Sequence, residues 1–382
     1  MEWINPYNDI LKLVWCSINN IKPEPSYLCE SDLSKLIGLC DKHKITALVN
    51  MSVSKADDDV VSPEIKQAFN KEYLKAVRVN IMFDSESDRI FRLFEENHIC
   101  YLPLKGCILK DYYPEAFLRQ MGDIDVLILP QDSGKVKKLM TESGYECKTF
   151  GISRHDEYFK KPFYTYEIHR SLFHESNDVW SKYYNNIFDW LIKETADSYE
   201  YRFSKEDFYI YFFLHGFNHY RLAGIGIRFL VDIYQYCTKE ELDYDYIAKE
   251  LNKLGVEKEE YMIRELAFSL FRPENNLEYN DLKEELKPVL LRIMYSGIYG
   301  NQDIMINSRI DKYMSEKSGH NKVGYILSRI FSLSPKYIRK YPGLYKSVIG
   351  RPVIVIKRLF DKVIKHKYDV KKEVNIIKDY KR

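Results

Sequence analysis

The segment GDIDVLIL, residues 122–129, places two aspartates inside an otherwise apolar run. A β-strand sends alternate side chains to opposite faces of its sheet, so Asp123 and Asp125 are expected to share one face. The alternate apolar residues then point into a core: Ile124, Val126 and Ile128. Two carboxylates this close raise each other's pKa, and a divalent cation removes that conflict. Because Mg²⁺ prefers one or two carboxylates with phosphate oxygens and water, the segment predicts a magnesium–phosphate site on a strand.

The segment before this strand supplies a glycine turn and a lysine. CYLPLK, residues 100–105, is short and apolar and is followed by Gly106, which predicts another strand. A helix that starts at Gly106 would present free backbone N–H groups, which accept a phosphate. Lys105 lies at the same turn, where its ammonium group can reach a triphosphate. These neighbours favour a catalytic interpretation of the two aspartates over one as helix caps or loop acids.

A third acid is expected from FYTYEIH, where Glu167 and His169 alternate with apolar residues and therefore share one face of a strand. If this strand lies next to the strand of the two aspartates, Glu167 supplies a third carboxylate. Asp156 and Glu157 remain alternatives for that role. The hypothesis requires Glu167 to lie beside the two aspartates and to face the same side of the sheet.

The pattern divides the chain into a helical N-terminal region, an α/β core, a helical domain and a basic helical tail, at residues 1–80, 81–175, 176–330 and 331–382. A helix over SESDRIFRLFEENHI, with Ser85 or Ser87 as its cap, is expected to lead into the core. Further strands are predicted within YECKTF, EYFKK and FYTYEIHRSLF, and a helix over DSGKVKKLMTES. The fold class is therefore α+β, a small mixed β-sheet flanked by helical regions.

Composition restricts the protein class. The chain of 382 residues is 45% hydrophobic and 30% charged, as in globular proteins with a sizeable core. It has no apolar run of about 18 residues, and Glu2 and Asp9 make its start unlike a secretory signal. The seven cysteines have no metal-finger spacing and are expected to be reduced thiols of a cytoplasmic chain.

The C-terminal tail is strongly basic. Residues 335–382 hold 15 Lys and Arg against 4 Asp and Glu, whereas the whole chain has a net charge of only +2. Such a tail suits an anionic partner: phospholipid, nucleic acid or a polyanionic substrate. A solvated helix, or one that packs on the acidic body, explains it equally well. Peripheral binding at the inner membrane face is compatible with the sequence, and DNA is not an expected partner.

Six segments together resemble the bacterial uncharacterised nucleotidyltransferase family of the DNA polymerase β-like superfamily. They are PLKG, Arg119, GDIDVLI, YEIH, LHGFNH and GIRFLVDI, and the likeness covers about residues 30–235. The resemblance implies transfer of a nucleoside monophosphate from an NTP to an unknown hydroxyl or phosphate acceptor, with release of pyrophosphate. Members of this family are often associated with surface polysaccharide synthesis.

The resemblance also implies roles for individual residues. Asp123, Asp125 and Glu167 would hold two Mg²⁺ ions. The β- and γ-phosphates would be held by four further residues: Lys105, the N–H groups of Gly106 and Cys107, and Arg119. The sequence departs from the superfamily in three ways. Cys107 replaces the usual Ser or Gly, the spacing from Gly106 to Asp123 is longer, and the third acid is Glu rather than Asp.

Other polar residues leave alternatives open. His169 is either a substrate contact or a hydrogen-bonded structural residue. His215 and His219 share a helix face in LHGFNH, where a cleft-lining or buried role is favoured over metal binding. Arg228 and Asp232 are also four residues apart, so they either pair with each other or line the cleft.

Two further functions remain open. One is a non-catalytic NTP-sensing or interaction module that keeps the fold. The other is a toxin-type nucleotidyltransferase that acts on tRNA, which the basic tail allows and the acidic body does not favour.

Overall fold

The computed structural model describes residues 5–27, 33–174, 178–274, 279–297, 300–316, 321–332, 341–347, 349–365 and 367–380. The helices that precede the sheet or connect its strands are α1 Asn5–Ile18, α2 Leu33–His43, α3 Thr46–Val53, α4 Pro63–Glu96, α5 Gly106–Leu109 and α6 Ser133–Glu142. The helices after the sheet are α7 Asp178–Tyr183, α8 Lys205–Leu222, α9 Arg228–Lys239, α10 Tyr244–Lys253, α11 Glu257–Phe271 and α12 Lys287–Ser296. Those near the C-terminus are α13 Gln302–Glu316, α14 Lys322–Phe331, α15 Pro342–Lys346, α16 Gly350–Lys365 and α17 Lys367–Asp379.

The strands form one mixed sheet and one short hairpin. They are β1 Tyr101–Pro103, β2 Ile124–Ile128, β3 Glu146–Thr149, β4 His155–Lys160, β5 Tyr164–His169, β6 Ile192–Lys193 and β7 Tyr201–Arg202. The five-stranded sheet has the order β1-β2-β5-β4-β3. Strands β2 and β5 run parallel, whereas the other three neighbouring pairs are antiparallel. The predicted α+β class, a small mixed sheet between helical regions, is confirmed.

One face of the sheet is covered by α4 and α6. The predicted inward residues of β2 lie there and are fully buried: Ile124, Val126 and Ile128. The helices contribute Phe83, Ile90, Phe94, Val136 and Met140. Burial of each such side chain contributes about 1.5–3 kcal/mol to folding. This core fixes which face of β2 and β5 is left for polar side chains.

The long helix α4 corrects one prediction. A helix beginning at Ser85 or Ser87 was expected, but α4 begins at Pro63 and runs for 34 residues through both serines. Ser62 takes the N-cap position, and Pro63 suits the first turn because its missing N–H would have no helical partner there. The helix therefore joins the N-terminal region to the sheet without a break at the predicted boundary between residues 80 and 81.

The N-terminal helices and the helices after the sheet share one core. It includes Ile10 of α1 and Leu48 of α3 together with Leu230 of α9 and Leu266 of α11. The indole Nε1 of Trp15 also donates to the carbonyl of Arg272, at 2.8 Å. The two helical regions thus pack together across the sheet's second face. The cleft described below opens between them.

The C-terminal helices form a smaller cluster of their own, which contains Ile306, Ile310, Tyr325 and Ile377. Part of the predicted tail, residues 333–340, lies outside the described residues. Among the helices that the structure describes, none is both long and apolar enough to cross a bilayer.

Candidate active site

The parallel pairing of β2 and β5 brings the predicted acids together. Asp125 lies opposite Glu167 in the register, and Leu127 lies opposite His169. These side chains therefore project from the face that the sheet's core leaves open. Asp123 directly precedes β2 rather than lying within it, and it lines the same cleft as Asp125 and Glu167. The hypothesis drawn from the sequence required Glu167 to lie beside the two aspartates and to face the same side of the sheet, and the structure has this arrangement.

The two alternative acids lie elsewhere. Asp156 pairs with Ile168 in the register, which turns its side chain to the opposite face, where it is 1% exposed. Its carboxylate accepts a hydrogen bond from the Gly151 N–H at 2.7 Å and contacts Arg170 at 3.2 Å. Glu157 shares the face of Glu167 but lies on β4, one strand further from Asp125. Glu167 is thus the acid that neighbours the aspartates.

Asp125 is buried and has two close partners. Its Oδ1 accepts a hydrogen bond from Lys105 Nζ at 2.6 Å and lies 2.8 Å from Nε2 of His169. Burial by itself raises the pKa of this carboxyl, but the Lys105 ammonium and His169 outweigh burial and hold the pKa well below its usual range. Asp125 is therefore an anion at neutral pH even before a metal or a substrate arrives.

Asp123 differs from Asp125. Burial and the charge of Asp125 raise its pKa to about 6, while Lys105 and Arg228 offset only part of that effect. A divalent cation beside Asp123 would favour the ionised form of this buried carboxyl.

Glu167 lies between two imidazoles. Its Oε2 is 3.5 Å from Nε2 of His169 and 3.7 Å from Nδ1 of His155. Burial raises the pKa of Glu167, but His169 and His155 overcome that effect and lower it. His169 is itself 1% exposed, so it supports both Asp125 and Glu167 from below the cleft surface.

The glycine turn differs from its prediction in part. Lys105 has a positive φ of 45°. Its ammonium group, which was expected to reach a triphosphate, contacts the Asp125 carboxylate. The Cys107 N–H, expected to be available for phosphate, donates to the Leu104 carbonyl at 3.2 Å. The Cys107 thiol is buried against the sheet's core, and burial raises its pKa to about 12. Of the predicted backbone donors, Gly106 remains at the cleft wall.

Arg119 was expected to hold phosphate, and Arg228 and Asp232 were expected either to pair with each other or to line the cleft. All three line the cleft, but Asp232 pairs with Arg119 rather than with Arg228: Nε of Arg119 lies 2.8 Å from Oδ1 and Nη2 lies 2.9 Å from Oδ2. Tyr113 donates to the same carboxylate at 2.8 Å. Arg228 instead donates to the Gln120 carbonyl. Arg119 and Asp232 thus form a buried support for the wall of the cleft.

This support lies directly behind the glycine turn. A Cβ added at Gly106 would lie 2.9 Å from Nη1 of Arg119 and 3.1 Å from Sδ of Met121. Real Cβ atoms rarely approach so closely, so a larger residue at this position would require Arg119 or Met121 to move. The glycine turn therefore packs directly against the Arg119 side chain.

The helix α8 forms the opposite wall. Its start is fixed by Ser204, whose side chain accepts a hydrogen bond from the Asp207 N–H at 3.1 Å. His215 and His219 then face the cleft with their Nε2 atoms 3.1 Å apart. Loss of contact with water, together with the positive charge of Lys105, lowers the pKa of both imidazoles. The pKa of His219 falls to about 4. They are neutral at pH 7, as the favoured cleft-lining role implies.

The cleft has a volume of about 600 Å³. Ten of the predicted residues line it: Lys105, Gly106, Arg119, Asp123, Asp125, Glu167, His215, His219, Arg228 and Asp232. Cys107 and His169 are not among its lining residues. Among the lining residues that sequence reasoning missed are Arg154 and His155. A strand predicted to start two residues earlier than Glu157 would have placed His155 on the face of Glu167.

The model of the uncharacterised nucleotidyltransferase family matches residues 30–272. The match includes the sheet, α8 and α9, and thus every residue of the candidate site named above. No curated protein and no solved structure matches the chain. With close to two thirds of its length matched, the chain belongs to the uncharacterised nucleotidyltransferase family.

Proposed function

We propose that the protein transfers a nucleoside monophosphate from an NTP to a hydroxyl or phosphate acceptor bound in the cleft. The observation that carries this proposal is the register of β2 and β5, which sets Asp125 beside Glu167 with Asp123 at the start of the strand. Such carboxylates would hold divalent cations, and these would stabilise the negative charge of the phosphate oxygens in nucleotidyl transfer. The cleft, at about 600 Å³, also falls within the usual size range of small-molecule sites.

The donor set fits Mg²⁺. Asp123, Asp125 and Glu167 offer hard oxygen ligands, and burial together with the charge of Asp125 raises the pKa of Asp123, an effect that a bound cation would oppose. We propose that the three carboxylates hold two Mg²⁺ ions with the triphosphate. Bound there, the ions would neutralise phosphate charge and stabilise the attacking and leaving oxygens of an in-line displacement.

The remaining steps belong to the chain's own residues. Lys105 would leave Asp125 when that carboxylate takes a cation, and its ammonium would then contact the phosphates. Arg228 stays cationic at neutral pH, since burial and Arg119 lower its pKa only to about 10. Glu167 would orient the acceptor hydroxyl and accept its proton. The acceptor oxygen bonds to the α-phosphorus, the bond to the β-phosphate oxygen breaks, and pyrophosphate leaves.

Two labels test the proposal. The protein is incubated with Mg²⁺, a cell extract and NTP labelled at either the α- or the γ-phosphate. Nucleotidyl transfer moves the α-label to an acceptor and releases the γ-label as pyrophosphate. Transfer of the γ-label to the acceptor would instead indicate phosphoryl transfer. If NTP binds but neither label moves with any extract, the sensing alternative is favoured.

Replacing Glu167 with Gln should lower transfer by about 10²- to 10⁴-fold, because a positioned general base contributes that much. The change keeps the side chain's shape and removes its charge. The matched control is Glu146→Gln, since Glu146 is an exposed glutamate on the outer strand β3, away from the cleft. Initial rates of α-label transfer measure both variants. Equal rates for Glu167→Gln and wild type would exclude Glu167 from the reaction.

We also propose that the basic tail binds anionic phospholipid. On α16, Val353, Ile356 and Phe360 lie on one face, and Ile356 and Phe360 are 64% and 66% exposed. Arg358 fixes this helix to the end of α14 by donating to the Ser332 hydroxyl at 2.9 Å and to two carbonyls. An apolar face within a basic segment is typical of helices that lie in a membrane interface.

The double variant Ile356→Asp/Phe360→Asp should lower binding to phosphatidylserine vesicles at least about tenfold, because it removes apolar burial and adds repulsive charge. Co-sedimentation measures the bound fraction. The control is Ile81→Asp, which alters an apolar residue that is 62% exposed on α4. Equal sedimentation with neutral and anionic vesicles, or equal loss in the control, would contradict the proposal.

A further inference from the structure

Beside the aspartates lies a cluster with different chemistry. His155 pairs with His169 across β4 and β5, and Glu167 lies two residues before His169 on the same face. One ligand atom from each of these three residues lies within 4.8 Å of the other two. In particular, Glu167 Oε2 is 3.7 Å from Nδ1 of His155 and 3.5 Å from Nε2 of His169.

These separations suit a shared ion. Ligands about 2.1 Å from one tetrahedral metal ion lie about 3.4 Å from each other. The two Glu167 contacts are longer than a good hydrogen bond and close to this spacing. Two of the three separations within the cluster are therefore already close to those of a metal site, and the third is at most 4.8 Å.

The hydrogen bonding of the cluster is incomplete. Within the described part of the chain, Nδ1 of His155 is a buried atom without a hydrogen-bond partner. The other nitrogen of this ring, Nε2, lies 3.6 Å from the Glu157 carboxylate. Metal-binding histidines usually present one nitrogen to the ion and the other to a carboxylate or carbonyl. In His155 the Glu157 carboxylate lies on the side of Nε2, 3.6 Å away, and Nδ1 is left for the ion.

We infer that His155, Glu167 and His169 bind a borderline divalent transition metal, of the class of Mn²⁺, Co²⁺ and Zn²⁺, in preference to Mg²⁺. Two imidazoles and one carboxylate are typical ligands of that class, whereas Mg²⁺ prefers oxygen. Asp125 is the fourth polar group beside this site: its Oδ1 lies 2.8 Å from Nε2 of His169, a hydrogen-bond distance, and that hydrogen bond would give way when the imidazole binds the ion. This inference rests on the proposed function in one respect only. If the reaction proceeds as proposed, the metal ion on its acceptor side would belong to this class.

Metal binding is measured without any reaction. The full chain is freed of metal with a chelator and titrated with Co²⁺ in excess Mg²⁺, while visible absorption reports Co²⁺ held by nitrogen ligands. Mn²⁺ binding is followed separately by electron paramagnetic resonance. We expect one Co²⁺ per chain in the presence of Mg²⁺. Displacement of Co²⁺ by Mg²⁺ at similar concentrations would overturn the inference.

Variants locate the ion. His155→Ala should weaken Co²⁺ binding by about 10- to 100-fold or more, since loss of even a supporting group has that effect. His219→Gln removes a cleft imidazole outside the cluster and should leave the affinity unchanged. His155→Gln and circular dichroism separate ligand loss from misfolding. Unchanged Co²⁺ affinity in both His155 variants would disprove the site.

The two proposals fail in different ways. Co²⁺ binding that depends on His155, without transfer of the α-label, would overturn the proposed function and leave the metal site standing. Transfer of the α-label by a protein that binds no Co²⁺ would overturn the metal site and leave the proposed function standing. If both hold, Mn²⁺ should support faster transfer than Mg²⁺ in the wild type, and His155→Ala should lose that preference.

Discussion

Asp125→Asn is expected to lower transfer of the α-label by at least about 10³-fold. The substitution keeps the size of the side chain but removes the charge that a two-metal site requires, and nucleotidyl transfer depends almost entirely on positioning and charge neutralisation. Asp125 is the central acid of the three, since its carboxylate lies opposite Glu167 and contacts both Lys105 and His169. The rate of label transfer at saturating NTP measures the effect.

Loss of activity must be separated from loss of folding, because Asp125→Asn leaves the Lys105 ammonium without its partner. The double variant Lys105→Met/Asp125→Asn removes both charges and should recover the thermal stability of the wild type while remaining inactive. Asp189→Asn, a neutralised acid on the exposed surface away from the cleft, should behave as wild type. An active Asp125→Asn variant would exclude the carboxylate trio as the reaction centre.

The strand pattern of the site was predictable from sequence because it is local. In GDIDVLIL, alternation alone assigned Asp125 to one face and Val126 to the core, and the register of β2 confirms this assignment. The same logic assigned Glu167, two residues before His169, to the open face of β5. Sequence could not give the order of the strands, and that order is what brings Glu167 opposite Asp125.

The differences between prediction and structure arose where the deciding signal was distant or misread. The contact of Arg119 with Asp232 was not predicted because the two residues are 113 positions apart and nothing local indicates the pair. The start of α4 was misplaced for another reason. Ser62 and Pro63 form a good start signal, but the serines at 85 and 87 stand just before a clearer apolar stripe. The two serines do not begin the helix, because a longer helix buries more apolar residues along its face.

The family model matches a longer part of the chain than the sequence resemblance covered. The sequence resemblance ended near residue 235, whereas the family model continues to residue 272 and includes α10 and α11. In the structure, α11 packs in the same core as α9, which carries Asp232. The helices after the sheet thus pack in one core with the helix that carries Asp232, the partner of Arg119 behind the glycine turn.

Removing Asp232 is expected to cost about 3–5 kcal/mol of folding free energy, because it leaves the buried guanidinium of Arg119 without its counter-charge. Both side chains are 7% exposed, and Tyr113 also loses its acceptor. Urea denaturation of Asp232→Ala, with activity measured below the transition, tests this. The transition midpoint should fall while the slope stays unchanged.

A structural pair and a phosphate ligand predict different results for Arg119. Because the pair is buried, Arg119→Met combined with Asp232→Leu should regain most of the stability lost in either single variant. If the pair is only structural, the double variant should also retain its affinity for NTP at temperatures where it is folded. A variant that is stable but has lost NTP affinity would instead return Arg119 to the phosphate-binding role that the family resemblance implied.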